Sequence, residues 1–418
     1  MSRHATTVMV IAMILMPQLA GAQARYTAKQ TGDIVQLHDA RTDMTVSVIT
    51  TIGSVYEIVV KGRNITQTRY TSVADFRARP GLNGIPLLAP FANRLDQQAF
   101  YANGKKYNFD MELGNVRGAI PIHGFMTASP EWKMVEAKAD ATGAWVTNKL
   151  EFFKVPAYMK QFPFAHTLTM TYRVSDGALE VRTRIDNLSN EPMPIAIGFH
   201  PSFWLTDSTR DEWTVSIPAK THWLLDNSKV PTGETEPIEK MFPDPHAIPL
   251  TDKVLDDVFS DLERDAQGRA TARVTGKGGQ KVEVTLDKNF RSLVVWSTLP
   301  APAGGRAGGG GGGGNRGGGG GQAPAAGAPA GAAAGAAGAA PARAGGPPPA
   351  PAADPNLPNP PLTGKEDGPI PANRGFIAFE PMAGITNSMN AAQKGTYKEL
   401  QTIPPGGNWT ASFWVRGS

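Results

Sequence analysis

Four short segments of this sequence place a titratable side chain where an apolar stretch stops. Gly84 to Leu95 is apolar and proline-rich until Asn93 and Arg94. A guanidinium there is either at the surface or needs acceptors close by, because an unpaired buried charge is costly. In Ile120 to Phe125, His123 stands beside Gly124, a residue that lets the backbone approach a ligand closely. Pro194 to Phe203 reads as a strand. Ile195, Ile197 and Phe199 share one face, and Ala196, Gly198 and His200 share the other. Pro201 should hold His200 extended and end the ladder, and the small neighbours should leave space above the sheet. In Gly375 to Met382, Glu380 closes an apolar strand and again precedes a proline. An imidazole and a carboxylate set this way over one pocket would make an acid–base pair. The plainer alternative is a set of satisfied structural groups.

Other chemistries lack their residues. There are no cysteines, so disulfides, thiol nucleophiles and cysteine-bound metals are excluded. The seven histidines are scattered and form no His-x-His pair, so no metal is expected. No Gly-x-Ser-x-Gly elbow occurs, although composition leaves a Ser-His-Asp triad open. A net charge of +4 without a basic run makes nucleic acid an unexpected partner.

The elements that must position these residues are strands. His166 to Val174 alternates, with Leu168, Met170, Tyr172 and Val174 on one face. Leu179 to Asp186 repeats the pattern, with Glu180, Arg182, Arg184 and Asp186 facing out, and Ser175-Asp-Gly177 supplies the turn. Similar runs occur at Trp213–Ile217, Ala272–Val274, Lys281–Leu286, Leu293–Ser297, Phe376–Glu380 and Trp409–Arg416. Helical periodicity is confined to Ser72–Arg79. The pattern predicts an all-β sandwich or barrel.

Two segments fall outside that pattern. Residues 1–24 have the form of a secretory signal: Arg3 and His4, an apolar run from Val8 to Met16, then Ala22-Gln-Ala24 as a cleavage site. The expectation is an exported protein, periplasmic or secreted, with no membrane attachment after signal removal and a mature chain starting near Arg25. Residues 301–370 hold almost half of the 46 glycines, with runs at Gly308–Gly314 and Gly317–Gly321 and with Pro347–Pro349. No apolar period runs through them, and the segment is expected to be disordered. A phosphate loop would need a strand before the glycines and a Gly-Lys-Ser/Thr start to a helix after them. The expected organisation is a signal at 1–24 and one sandwich domain at 25–418, interrupted by the insert at 301–370.

The motifs together resemble the aldose 1-epimerases, the galactose-mutarotase-like family. The resemblance is carried, in the family's order over roughly residues 80 to 400, by Pro90-Phe-Ala-Asn-Arg-Leu95, His123-Gly-Phe125, Asn187 on through Gly198-Phe-His-Pro-Ser-Phe203, Leu255-Asp-Asp-Val-Phe259 and Phe379-Glu-Pro-Met-Ala-Gly384. It implies a large antiparallel β-sandwich, a free aldose as substrate and no cofactor. It also implies roles by position. Glu380 would be the base for the C1 hydroxyl, His200 the acid for the ring oxygen, and His123 a second histidine near that oxygen. Arg94, with Asn93 beside it, would bind sugar hydroxyls. Asp256 would hold a further hydroxyl, with Asp257 as its rival.

The sequence departs from the family at Ser202, where a tyrosine is common, and in the glycine-rich insert. His123-Gly-Phe125 followed by Trp132 is also similar to the hexose-6-phosphate 1-epimerases. The signal-like segment favours a free sugar over a phosphorylated one. Two further readings remain: a non-catalytic carbohydrate-binding module, which needs no acid–base pair, and a polysaccharide lyase or hydrolase, for which Trp204 would serve as an aromatic platform.

Overall fold

The computed structural model describes residues 24–68, 70, 72–299, 356–360 and 375–418. The expected signal and most of the expected disordered insert lie outside the described residues. Residues 356–360 are the exception. The Pro358 carbonyl accepts a hydrogen bond from Arg77 at 3.1 Å, and Asn359 Oδ1 accepts one from the Ala74 N–H at 2.9 Å. These two contacts set residues 358 and 359 against the helix Val73–Ala78.

Almost all regular structure is antiparallel strand. The sheets include one of nine strands, one of eight and one of five. The hairpin read from alternation is present as His166–Ser175 paired with Ala178–Asn187. Leu168, Met170, Tyr172 and Val174 are buried, while Arg182 and Arg184 are exposed. The expected helix is Val73–Ala78, with Ser72 Oγ accepting the Asp75 N–H. The other described α-helices, Pro156–Gln161 and Ser388–Gln393, are equally short, and no described helix is long and apolar enough to cross a membrane.

The eight-stranded sheet carries the site. In chain order its strands are β1 (Leu87–Leu88), β2 (Gly198–Phe199), β3 (Ser202–Phe203), β4 (Ala219–Leu225), β5 (Pro231–Pro237), β6 (Leu255–Leu262), β7 (Ser292–Ser297) and β8 (Ile377–Met382). Across the sheet they run β5, β4, β6, β7, β8, β2, β1, and β3 also pairs with β8. Period-2 alternation gives the central strands two different faces. Phe259, Leu293, Val295, Ile377 and Phe379 point into the core shared with the nine-stranded sheet. Phe199 marks that junction, its ring 4.9 Å from Phe413 of the opposite sheet. Each such side chain contributes roughly 1.5–3 kcal/mol on burial, which fixes which face of every strand turns inward. The opposite face holds Val258, Val294 and Met382 in a smaller cluster, together with Asp256, Trp296 and Glu380.

Three details of this sheet differ from the sequence reading. Pro194 to Phe203 is not one strand: Ala196 bridges to Phe91 instead, and the ladder with β8 is interrupted at His200–Pro201 before it resumes at β3. Pro201 thus interrupts the ladder without ending it. Glu380 does not end its strand either, since β8 continues through Pro381 to Met382. The Phe379 and Ala383 N–H groups donate to the Pro201 and Ile197 carbonyls. Pro381 lies between them and faces the interrupted side of the ladder, where its missing N–H is tolerated. The space above Gly198 is also filled. A Cβ there would lie 2.8 Å from Ala92 Cβ and 2.9 Å from the Pro381 carbonyl. The small residues admit the loop that carries Asn93 and Arg94.

Candidate active site

The Pro90 to Arg94 loop crosses β2 and is held by main-chain bonds. The Ala92 N–H donates to the Ala196 carbonyl at 2.7 Å. Asn93 and His123 then grip each other. The His123 N–H donates to the Asn93 carbonyl at 2.8 Å, and the Asn93 N–H donates to His123 Nδ1 at 3.2 Å. Both residues have a left-handed backbone, with φ of 53° and 60°. Gly124 also needs to be glycine: its φ is 58°, and a Cβ would sit 2.1 Å from the Ala89 carbonyl oxygen. Because Nδ1 accepts a main-chain N–H, the neutral His123 ring carries its proton on Nε2, ready to donate. Burial, then His200, Arg94 and Arg117, hold the His123 pKa well below its ordinary value, so the ring stays neutral.

His200 follows β2 directly, and its ring centroid is 5.6 Å from that of His123, at right angles. Its Nδ1 meets Ser202 Oγ at 3.2 Å, so the serine that departs from the family pattern holds the imidazole. Its Nε2 lies 3.3 Å from Glu380 Oε1. Both groups are about 2% exposed. Glu380 Oε2 has no hydrogen-bond partner among the described residues. Burial pulls the His200 pKa down to about 4. Burial, helped by Asp256 and opposed by Arg94, pushes Glu380 well above the carboxylate range. Both shifts favour a neutral His200 beside a protonated Glu380.

Arg94 is the buried cation the sequence pointed to, and it has its acceptors. Its guanidinium donates to Asn93 Oδ1 at 3.0 Å and to Asp256 Oδ2 at 3.1 Å. Asn93 is itself buried and orients Arg94 and His123. Alternation along β6 separates the two rival aspartates. Asp256 faces Arg94, and Asp257 turns to the other face of the sheet, where it meets His222 at 3.4 Å.

All six residues singled out from the sequence, Asn93, Arg94, His123, His200, Asp256 and Glu380, thus converge. Two neighbours escaped the sequence reading. Trp296, paired in register with Asp256, sets its ring 5.4 Å from His200 and is only partly buried. Arg117, on the short strand Val116–Arg117, lies close enough to act on His123, Arg94 and Asp256. Neither stands in a segment that looks unusual in one dimension. Trp204 and Trp132 are both buried, Trp204 donating to the Asn64 carbonyl and Trp132 lying against Gly53. Trp204 is therefore not an exposed platform for a polysaccharide. Ser202 is fully buried, with its Oγ against His200 Nδ1.

The family model for aldose 1-epimerases matches residues 33–308. The chain belongs to the aldose 1-epimerase family. That match spans Arg94, His123, His200 and Asp256, while Glu380 and the last strands lie beyond it. Solved structures extend the likeness of the fold over both parts of this aldose 1-epimerase family member. A galactose mutarotase-like protein from Clostridium acetobutylicum superimposes with a TM-score of 0.67 at 19% identity, covering 94% of this chain and 98% of its own. A galactose 1-epimerase from Lactobacillus acidophilus NCFM gives 0.59 at 13%, with coverage of 94% and 98%. An aldose epimerase homologue from C. elegans gives 0.59 at 13%, with coverage of 90% and 96%. At these identities the likeness is one of fold.

Proposed function

We propose that the protein is an aldose 1-epimerase that interconverts the α and β anomers of a free aldose, and that it acts after export. The observation that carries this reading is the buried contact between His200 Nε2 and Glu380 Oε1 at 3.3 Å, beside a carboxylate oxygen left without a partner. Anomerisation needs a proton taken from the C1 hydroxyl and another delivered to the ring oxygen. The reaction starts from the tautomer in which the pair's proton sits on His200: Glu380, as carboxylate, takes the first proton, and His200 gives the second. The C1–O5 bond breaks, and C1 becomes an aldehyde carbon.

That step leaves Glu380 protonated and His200 neutral, the state favoured in so dry a site. Rotation about C1–C2 turns the other aldehyde face to the C5 hydroxyl. On reclosure His200 recovers its proton and Glu380 returns its own to O1, so the enzyme ends as it began. No covalent intermediate and no cofactor enter the sequence. His123 donates from Nε2 to hold the oxygen near the reacting bond. The Arg94–Asp256 pair holds ring hydroxyls, and Trp296 offers an apolar surface beside them. Export is supported by the signal-like pattern of residues 1–24.

Polarimetry tests the reading. Freshly dissolved α-glucose, α-galactose and a panel of other aldoses should reach anomeric equilibrium faster with the protein than without it. Hexose 6-phosphates run alongside test the phosphorylated alternative. Reducing ends released from polysaccharides would favour a hydrolase. No acceleration with any sugar would refute the epimerase reading.

A further inference from the structure

Behind the site, on the core face of the same sheet, lies a chain of charges that the proposed reaction does not use. His222 of β4 is buried beside Phe259, with ring centroids 5.5 Å apart and the rings tilted by 33°. Its Nδ1 meets Glu236 Oε1 of β5 at 3.1 Å, and its Nε2 meets Asp257 Oδ1 of β6 at 3.4 Å. Among the described residues no group of three or more His, Asp or Glu could hold a metal ion, and these three side chains form a chain of polar contacts. Burial disfavours the His222 proton, but the two carboxylates outweigh it and raise the pKa. Burial acts against the Asp257 carboxylate too, and His222 and the Asp256 N–H together bring its pKa down.

The other oxygen of Asp257 explains why the chain matters for the site. Asp257 Oδ2 accepts the main-chain N–H of Asp256 at 3.0 Å. Pairing between β4 and β6 stops at Trp223 opposite Val258, and a register shift follows in β4 before Leu225. On that flank no neighbouring strand is paired with Asp256, and a side chain from the far face takes the place of the ladder. Asp256 in turn receives Arg94.

We propose that His222 is a positioning residue for sugar binding: it holds Asp257, Asp257 holds the Asp256 main chain, and the Arg94–Asp256 pair is thereby kept aligned for the substrate. The proposal rests on the epimerase reading only in taking Asp256 to bind sugar. A small displacement of a binding group costs affinity steeply, so the supporting residues behind it are visible in kinetics. Loss of His222 should act on substrate affinity more than on turnover, because neither Glu380 nor His200 touches this chain.

The test uses the full chain with His222→Gln, Asp257→Asn and Asp257→Ala. Asp33→Asn serves as control: it weakens the buried pair between Arg77 of the helix Val73–Ala78 and Asp33 in the turn before the strand Ile34–Asp39, at side-chain exposures of 9% and 4%. We expect His222→Gln and Asp257→Ala to raise KM roughly tenfold with kcat within about twofold. Asp257→Asn, which keeps an acceptor for the Asp256 N–H, should lie nearer the wild type. Asp33→Asn should lower Tm and leave KM alone. Equal KM values across the series at lowered Tm would overturn the proposal and leave the chain purely structural. If His222→Gln does not fold, the comparison of Asp257→Asn with Asp257→Ala decides. The NMR shift of the Asp256 amide should move in the His222 variant, or with Asp257→Ala, even if the wild type anomerises no sugar. An unmoved amide would refute the positioning link independently of the reaction.

Discussion

His200 and Glu380 occupy opposing positions of one antiparallel ladder. Gly198 pairs with Met382 and Ser202 with Ala378, so the register holds across the break at Pro201 and sets the two residues face to face. The side chains meet at 3.3 Å on the face away from the core. Each is followed by a proline, and each is dry.

Glu380→Gln should therefore leave the protein folded and remove most of the proposed anomerase activity. Glutamine matches the protonated carboxyl that the buried site favours, so Tm should hold or rise. It cannot accept the O1 proton, and the rate should fall roughly 100- to 10,000-fold. Polarimetric rates beside a melting curve decide this. A variant at wild-type rate would show that another group is the base.

His200→Asn should reduce turnover much more than sugar affinity. Asparagine can still hydrogen-bond a sugar oxygen but has no proton to deliver. A group acting mainly in the transition state shows in kcat, here by about 100-fold, with Kd by calorimetry changed less than about threefold. The reverse pattern would assign His200 to binding and pass the acid role to His123.

The pH profile follows from the same pair. Burial lowers His200 to about 4 and raises Glu380. Between those limits the pair holds one proton, and below the lower limit it holds two and has no base. The acid limb of kcat/KM should therefore lie near pH 4, below the ordinary histidine range. An acid limb near the ordinary histidine value of about 6.5 would mean that the site is wet in the free enzyme.

Asn93→Gly tests the brace on Arg94. Glycine keeps the left-handed backbone at φ 53° and the exchange of main-chain bonds with His123, and removes only the Oδ1 acceptor of Arg94. KM should rise several-fold with little change in kcat. Asn93→Ala should show the same kinetics plus backbone strain of about 1 kcal/mol, read as a lower Tm. Unchanged KM in both would make Asn93 dispensable to the site.

His166 should make the fold acid-sensitive. It is buried against Phe152, with centroids 4.1 Å apart, and burial lowers its pKa to about 4. Between pH about 6.5 and about 4 the unfolded chain binds a proton at this histidine and the folded chain does not. Its contribution to stability is thus complete above that window and is lost as the pH falls through it, by up to about 3 kcal/mol. His166→Gln should flatten the slope of unfolding free energy against pH by about one proton. Equal slopes in the two proteins would show that His166 titrates alike folded and unfolded.

Much of this was legible in one dimension. Alternation in His166–Val174 and Leu179–Asp186 specified strands and their inward faces, because a period of two admits one buried side. The titratable residues at the edges of apolar runs marked the site, because burial of such groups needs a reason. Which aspartate faces Arg94 was not legible as Asp256-Asp257, since strand parity only acquires an inside and an outside once β6 lies between β4 and β7. Pairing across the sheet likewise carried Glu380 past the strand end expected of it and brought Trp296 beside His200 from an unremarkable strand. His222, Glu236 and Asp257 come from three strands, and their meeting depends on register and on the shift in β4 near Trp223. Local sequence decides period and face, whereas register, loop crossing and the choice of partner are long-range and are decided only when the sheets pack.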